Sequence, residues 1–222
     1  MESASSHRQD RVEQVNLQGL TSTYIISKRC FDFMASLIGL FLLSGVFLII
    51  AVLIKFDDPH GKVFYSQTRL GKDGQKFQMW KFRSMVADAD KMVDELLKKN
   101  DTEGAMFKIK DDPRITRVGR VIRKYSLDEL PQLYNVLRGD MSLVGPRPPL
   151  PREVINYTDY DRQRLAVIPG VTGLWQVSGR SDLGFSEMVA LDIHYINRAC
   201  VSEDFKILLK TIKVVIRPTG AY

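Results

Sequence analysis

Two adjacent carboxylates, Asp128 and Glu129, sit in the stretch Arg123-Lys124-Tyr125-Ser126-Leu127-Asp128-Glu129-Leu130-Pro131-Gln132, behind a basic run and just ahead of a proline. Such an acidic pair reads either as chemistry or as a helix cap. The plainer reading is a helix start, with Ser126 as N-cap and Glu129 closing a capping box three residues on. Pro131 argues against that register, where it would fall one position too deep and cost a helical hydrogen bond. A helix starting at Asp128 removes the difficulty. In either register Asp128 is expected at or beside a helix N-terminus, where the dipole favours its ionised form and nearby anions.

Cations surround this pair in the sequence. Arg114, Arg117, Arg120 and Arg123 recur every third residue, so on a helix they fan over roughly half the circumference and cannot all meet one small ligand. One or two of them, Arg123 first, are expected to reach the acidic pair, and the rest to face solvent or anionic headgroups. Arg147 stands between Pro146 and Pro148 in Asn135-Val-Leu-Arg-Gly-Asp-Met-Ser-Leu-Val-Gly-Pro-Arg-Pro-Pro149. A backbone stiffened on both sides loses little entropy when its arginine binds an anion; an ordinary proline-rich connector reads the same. Lys81 lies in Trp80-Lys81-Phe82-Arg83, which suits phosphate or base contact but equally a half-buried strand. Pro169-Gly-Val-Thr-Gly-Leu-Trp-Gln-Val-Ser-Gly-Arg180 mixes glycines with Trp175 and matches no phosphate-loop consensus, so it reads as an irregular loop.

Composition narrows the classes. A net charge of +6 over 222 residues points to an anionic partner: a phosphorylated substrate, lipid headgroups or nucleic acid. Cys30 and Cys200 are the only cysteines, without metal spacing, and His7, His60 and His194 form no ligand pattern. That fits a reducing, cytosol-facing protein with no zinc site.

The elements that must carry these groups follow in order. Residues 1–27 read as a polar tail or short surface helix. From Phe33 to Ile54 no charged residue occurs, with Lys28 and Arg29 before the run and Lys55 after it. That length can cross a bilayer as a helix. Two topologies remain open: a straight span, or a re-entrant helix bent at Ser44-Gly45, which basic residues at both ends favour slightly. Lys62–Thr68 and Gln75–Arg83 read as strands around Gly71-Lys72-Asp73-Gly74, a plausible hairpin. Asp88–Lys99 reads as an amphipathic helix. At the C-terminus Lys206, Lys210, Lys213 and Arg217 share one side of a helix whose remainder carries Phe205, Leu208, Leu209, Ile212, Val215 and Ile216. Such a helix suits either a membrane surface or the outside of a soluble core.

Taken together, Lys28-Arg29-x-x-Asp32, the WKFRSM run at 80–85, SLDELPQ at 126–132, LRGDMSLVGPRP at 137–148, PGVTGLWQVSGR at 169–180 and Asp192 resemble, in order and spacing, the bacterial monotopic phosphoglycosyl transferases. The resemblance runs from Lys28 to Tyr222. It implies transfer of sugar-1-phosphate from a UDP-sugar to polyprenyl (undecaprenyl) phosphate with release of UMP, a ping-pong reaction that initiates capsule or exopolysaccharide synthesis. On the matching positions Asp128 would be the nucleophile of an aspartyl-phosphosugar intermediate and Glu129, with Asp128, would hold Mg²⁺. Arg123 and Arg147 would hold phosphate oxygens, Pro148 would adjoin the uridine, and Lys81 and Asp192 would lie near the substrates. With Arg123 and a helix N-terminus beside it, Asp128 is expected to have a lowered pKa.

The implied architecture is a helix-rich α+β protein: a tail at 1–27, a membrane-inserted helical hairpin at 28–55, and one catalytic domain at 56–222 with a small β-hairpin, lying on the inner leaflet of the bacterial plasma membrane and facing the cytoplasm. The chain departs from the family at the bend, where Ser44-Gly45 replaces a Ser-Pro pair. Two other functions fit the residues: a membrane-anchored scaffold for a polysaccharide-assembly complex, and a nucleotide-sugar hydrolase. Nucleic acid is not an expected partner, since no reader motif occurs. The sugar and the oligomeric state are not written in the residues, beyond a plain hexose as the expected sugar.

Overall fold

The apolar run folds as two helices rather than one: α1, Ser22–Leu42, and α2, Ser44–Asp57, meet at Leu43 with a bend of 59°. These come from a computed structural model that describes residues 14–86, 89–92, 112–179 and 183–216. No single helix among them is long and apolar enough to cross a membrane; the bent pair taken together has the length and composition alone. Neither side chain at Ser44-Gly45 forces the bend: Leu43 absorbs it in ordinary backbone space, and a Cβ on Gly45 would meet only open space.

After α2 comes the expected hairpin, β1 (Phe64–Leu70) antiparallel to β2 (Lys76–Phe82), with Phe64 opposite Phe82 and Tyr65 opposite Lys81. The short helices α3 (Arg117–Lys124) and α4 (Gln132–Arg138) flank a three-residue 3₁₀ turn, Leu127–Glu129. Strand β3 (Ser142–Val144) then pairs in parallel with β4 (Gly170–Thr172), across the helical turns α5 (Pro151–Val154) and α6 (Asp159–Arg162). Helices α7 (Phe185–Arg198) and α8 (Val201–Ile216) close the described chain. The fold is helix-rich with a small hairpin, as expected; the parallel pair was not foreseen. The amphipathic helix expected over 88–99 lies outside the described residues apart from a turn at Ala89–Met92.

The polar start of α1 is bound into the rest of the protein. Arg29 donates to the carbonyls of Val136 (2.5 Å) and Leu137 (2.8 Å) at the C-terminal end of α4, where free carbonyls attract cations. Gly139, at φ 92°, ends α4 there, and its missing side chain leaves room for the guanidinium. Asp32, buried, accepts from Ser142 Oγ (2.7 Å) and the Leu143 N–H (3.1 Å), fixing α1 to β3. Asp204 of α8 collects Lys28 Nζ and the Tyr24 hydroxyl, each at 2.8 Å, and the Tyr195 hydroxyl at 2.6 Å. The described part of the tail is also pinned, with the Val15 N–H on Gln163 and the Asn16 N–H on Asn197.

Packing explains the remaining placements. Ile50 and Ile54 of α2 are buried with Phe82 of β2 and Ile122 of α3, so the second half of the apolar run is partly core. Outward from it, Phe41, Leu42, Leu48, Ile49 and Phe56 are all exposed. On α8, Ile207 is buried while Val201, Phe205, Leu209, Ile212 and Ile216 form an exposed apolar stripe beside exposed Lys206, Lys210 and Lys213. Exposed apolar surface on this scale is rare unless something covers it.

Candidate active site

The turn Leu127–Glu129 sits where β2, α3 and α4 converge. Ser126 enters it in the left-handed region, φ 55°, and makes no side-chain cap. The capping box is therefore absent, and Asp128 belongs to a detached 3₁₀ turn rather than to a helix N-terminus. Pro131 precedes α4, whose first helical residue is Gln132, so its missing N–H costs nothing.

Asp128 is 8% exposed. Burial pushes its carboxyl up to about 6, with Glu129 adding to the rise and Lys81 and Arg123 opposing it. The lowering expected from a helix dipole and Arg123 is thus corrected: desolvation outweighs both cations, and no helix of any length begins at Asp128. Glu129 behaves oppositely. Burial disfavours its charge too, but Lys81, Arg147 and Arg69 together hold its carboxyl below the usual range. Lys81 Nζ lies 2.6 Å from Glu129 Oε1. The two carboxylates therefore differ at neutral pH, Glu129 firmly ionised and Asp128 readily protonated by mild acid.

Lys81, Glu129, Arg147 and Pro148 line one cleft together with Met79, Gln132 and the start of β4. The glycine-rich stretch at 169–180, read as an irregular loop, in fact supplies strand β4 as a wall of that cleft. It can do so because the chains nearly touch: a Cβ on Gly170 would stand 2.1 Å from the Gly145 nitrogen, and one on Gly145 would stand 2.8 Å from the Gly170 nitrogen. Only glycines allow that approach. The arginine series divides, in part as expected: Arg117 and Arg120 are exposed and Arg123 alone of the four acts on Asp128. Arg114, expected in solvent or on headgroups, is instead buried against Asp112 at 2.6 Å.

Asp192 does not join the cleft. It is 0% exposed on α7 and pairs with Arg164, which also donates to the Tyr157 hydroxyl at 3.1 Å. A carboxylate so deep must be matched by an equally buried cation, and Arg164 provides it. The expected substrate contact is corrected to an internal ion pair that holds the turn leading into β4. Arg180 lies outside the described residues.

One cation went unnoticed in the sequence. Arg69, on β1 and 5% exposed, donates to the Pro148 carbonyl at 3.0 Å and to Gln67 Oε1 at 2.9 Å. The Leu70 N–H bonds the Pro149 carbonyl at 3.0 Å, so the end of β1 grips the Arg147 loop at two points. Burial and the repulsion of Arg147 bring the Arg69 guanidinium down to about 10. Nothing in the run Phe64–Leu70 distinguishes this arginine from a solvated strand residue.

A buried aspartate beside an ionised glutamate, with Lys81 on β2, Arg123 on α3 and Arg147 on a stiff loop, is suited to phosphoryl transfer, which needs charge neutralisation and alignment above all. The bacterial sugar transferase family model matches residues 23–218. The chain belongs to the bacterial sugar transferases. This sugar transferase is 47% identical over 200 residues to "Galactosyl transferase CpsE" of Streptococcus agalactiae, a match covering 90% of the chain and 44% of that relative. It is 45% identical over 213 residues to "Undecaprenyl-phosphate galactose phosphotransferase" of Salmonella typhimurium, covering 94% of the chain and again 44% of the relative. "Exopolysaccharide production protein ExoY" of Sinorhizobium fredii is 43% identical over 201 residues, covering 89% of the chain and 88% of the relative. The chain thus spans under half of the two longer relatives and most of the shorter one.

Proposed function

We propose that this sugar transferase moves a hexose-1-phosphate from a UDP-sugar to polyprenyl phosphate, releasing UMP, as the first step of an exopolysaccharide or capsule. The observation that carries the reading is Asp128, buried in a ring of opposing charges and ionisable near neutral pH. The Asp128 carboxylate oxygen attacks the sugar-bearing phosphorus, the bond to the UMP oxygen breaks, and UMP leaves as the anion. The acceptor phosphate oxygen then attacks the same phosphorus and expels Asp128, returning its carboxylate. Arg147, on the loop that Arg69 braces, and Arg123 hold the phosphate oxygens through both steps, while Lys81 keeps Glu129 ionised and in place. Uridine rests against the Arg147-Pro148 segment.

Mg²⁺ fits the donors present. Among the described residues no group of three or more His, Cys, Asp or Glu could hold a metal, but magnesium needs only one or two carboxylates beside substrate phosphates and water. Glu129 and Asp128 would hold it, and its charge would offset the repulsion between the Asp128 carboxylate and the diphosphate.

Membrane placement belongs to the same reading. One substrate is soluble and the other fixed in lipid, so the site works at the bilayer surface. The bent pair α1–α2 enters the inner leaflet and returns, and the apolar stripe of α8 lies in the interface with its lysines on anionic headgroups. The relatives named for undecaprenyl-phosphate galactose transfer and exopolysaccharide production support this assignment.

The test is UMP release from a panel of UDP-hexoses, with and without polyprenyl phosphate, and mass spectrometry of acid-quenched enzyme. The expected result is lipid-dependent turnover and a hexose-phosphate adduct on Asp128 that Asp128→Asn lacks. Full turnover by Asp128→Asn would point to a scaffold or a different nucleophile, and steady UMP release without lipid would point to a hydrolase.

A further inference from the structure

Gln132 has no task in the mechanism above, yet it is 2% exposed and lines the same cleft as Lys81, Glu129 and Arg147. Its amide bonds no described residue, and neither amide atom is among the sealed, unpartnered polar atoms of the interior, so both open on the cleft. Asn135, less than one turn further along α4 and 0% exposed, shows what a satisfied amide looks like here. Its Nδ2 donates to the Gln78 carbonyl (2.7 Å) and Asp140 (3.2 Å), and its Oδ1 accepts from the Trp80 N–H (3.0 Å). Buried side-chain amides almost always find partners. One that borders a ligand cleft and has none is left for the ligand.

The chemistry of the amide narrows which part of the ligand. A phosphate only accepts hydrogen bonds and is already met by Arg147, which only donates. The Gln132 carbonyl oxygen would face its lone pairs unfavourably. A sugar hydroxyl both donates and accepts, as an amide does. Position agrees: Gln132 follows Glu129 by three residues and opens the helix that comes directly after the turn carrying Asp128. The sugar hangs from the phosphorus that Asp128 attacks, whereas uridine hangs from the other.

We propose that the Gln132 amide hydrogen-bonds a hydroxyl of the transferred hexose and so takes part in selecting the sugar. This rests on the transfer reaction proposed above. A site built around a substrate hydroxyl rejects the analogue that lacks it, because its own polar group is then stranded.

The test uses the full chain in lipid nanodiscs with polyprenyl phosphate. It compares wild type, Gln132→Met and Gln132→Glu on the preferred UDP-hexose, its epimers and its monodeoxy analogues, with UMP inhibition measured alongside. Gln132→Met, of similar length but unable to bond, is expected to lower kcat/KM for the preferred sugar about 10- to 100-fold. The preference over one particular deoxy analogue should shrink by the same factor, with UMP inhibition unchanged. Gln132→Glu keeps an acceptor and loses the donor, so it should reorder the sugars without loss of fold even if the methionine variant does not fold. An unchanged sugar ranking in the variants, with or without a lower Tm, overturns the proposal in favour of a structural role. Weakened UMP inhibition in step with the loss of UDP-hexose overturns it in favour of uracil. Wild type that releases no UMP from any UDP-sugar refutes the transfer reaction itself, whatever Gln132 does.

Discussion

Lys81 Nζ and Glu129 Oε1 stand 2.6 Å apart, bridging strand β2 and the turn that carries Asp128. The same ammonium is the strongest of the charges opposing the rise in the Asp128 carboxyl. One side chain therefore acts on the ionisation of both carboxylates, favouring the charged form of each. With the Asp128 carboxyl at about 6, the reactive, ionised form is lost as pH falls through that value. Wild-type kcat/KM should drop about tenfold per pH unit below 6 and level off above it. Lys81→Met removes the opposing charge, so the acid limb should move to higher pH as well as the plateau falling. A pH profile of UMP release checks this. A limb that stays in place would show that Lys81 acts only by holding Glu129.

Arg69 braces the Arg147 loop from behind, through the Pro148 carbonyl and Gln67. Arg69→Met should leave both acceptors without their donor and let the loop drift, costing about 1.5–3 kcal/mol of stability and about 10-fold or more in kcat/KM. Arg69→Lys should recover only part of this, since one ammonium cannot reproduce a planar fork that reaches two acceptors. Thermal melts and steady-state kinetics on the two variants decide it. Equal behaviour of the lysine variant and wild type would reduce Arg69 to a charge.

How much of this was legible in the sequence depended on the distance over which each signal acts. The hairpin was, because Gly71 to Gly74 mark a turn between alternating runs, and the ends fell within two residues of those expected. Glu129, Lys81 and Arg147 were named, and the fold brings those three to one cleft, with Asp128 buried within reach of Lys81. The Arg164–Asp192 ion pair was not, because its members stand 28 positions apart and nothing local couples them. Strands β3 and β4 span three residues each, too short to show an alternation, so the pairing that shapes the cleft left no periodic trace. Lys28 and Arg29 read as cations flanking an apolar run. Their partners, Asp204 and the α4 carbonyls, lie more than a hundred residues away.

Those partners make a prediction for the anchor. Arg29→Ala removes two charge-assisted bonds to α4, and Asp32→Ala removes two acceptor contacts on β3. Each should destabilise the detergent-solubilised protein by about 1.5–3 kcal/mol. Activity should fall too, because α4 directly follows the turn bearing Asp128. Melting by intrinsic fluorescence measures the first effect. Wild-type stability in both variants would mean that α1 is held by apolar packing and by the Tyr24 and Lys28 contacts to Asp204.

Gly170 tests the parallel pair. A methyl there would overlap the Gly145 nitrogen at 2.1 Å, against rigid backbone rather than a side chain that can swing away. Gly170→Ala must therefore separate β3 from β4 and shift the Arg147 loop. The expected cost is about 1–3 kcal/mol from overpacking, with kcat/KM falling at least about 10-fold. Gly45→Ala, facing open space within a helix, is the control and should be neutral or slightly stabilising. A Gly170→Ala protein as active as the control would mean that the cleft does not depend on this contact.

The bend at Leu43 makes the final prediction, about topology. In the re-entrant placement proposed above, a 59° bend with Arg29, Asp32 and Asp57 all tied to one folded body returns the end of α2 to the side from which α1 starts. Asp57 accepts the Val118 N–H at 3.2 Å, and Ile54 is packed against Phe82 and Ile122, so straightening the pair would tear α2 from the core. In a variant with Cys30 and Cys200 replaced by serine, Ser5→Cys should resist a membrane-impermeant maleimide in intact cells and react after lysis. Asp73→Cys, on the exposed hairpin turn, should behave identically. Labelling of position 5 alone from outside would require a straight span, and with it the loss of the contacts that hold α2 to α3.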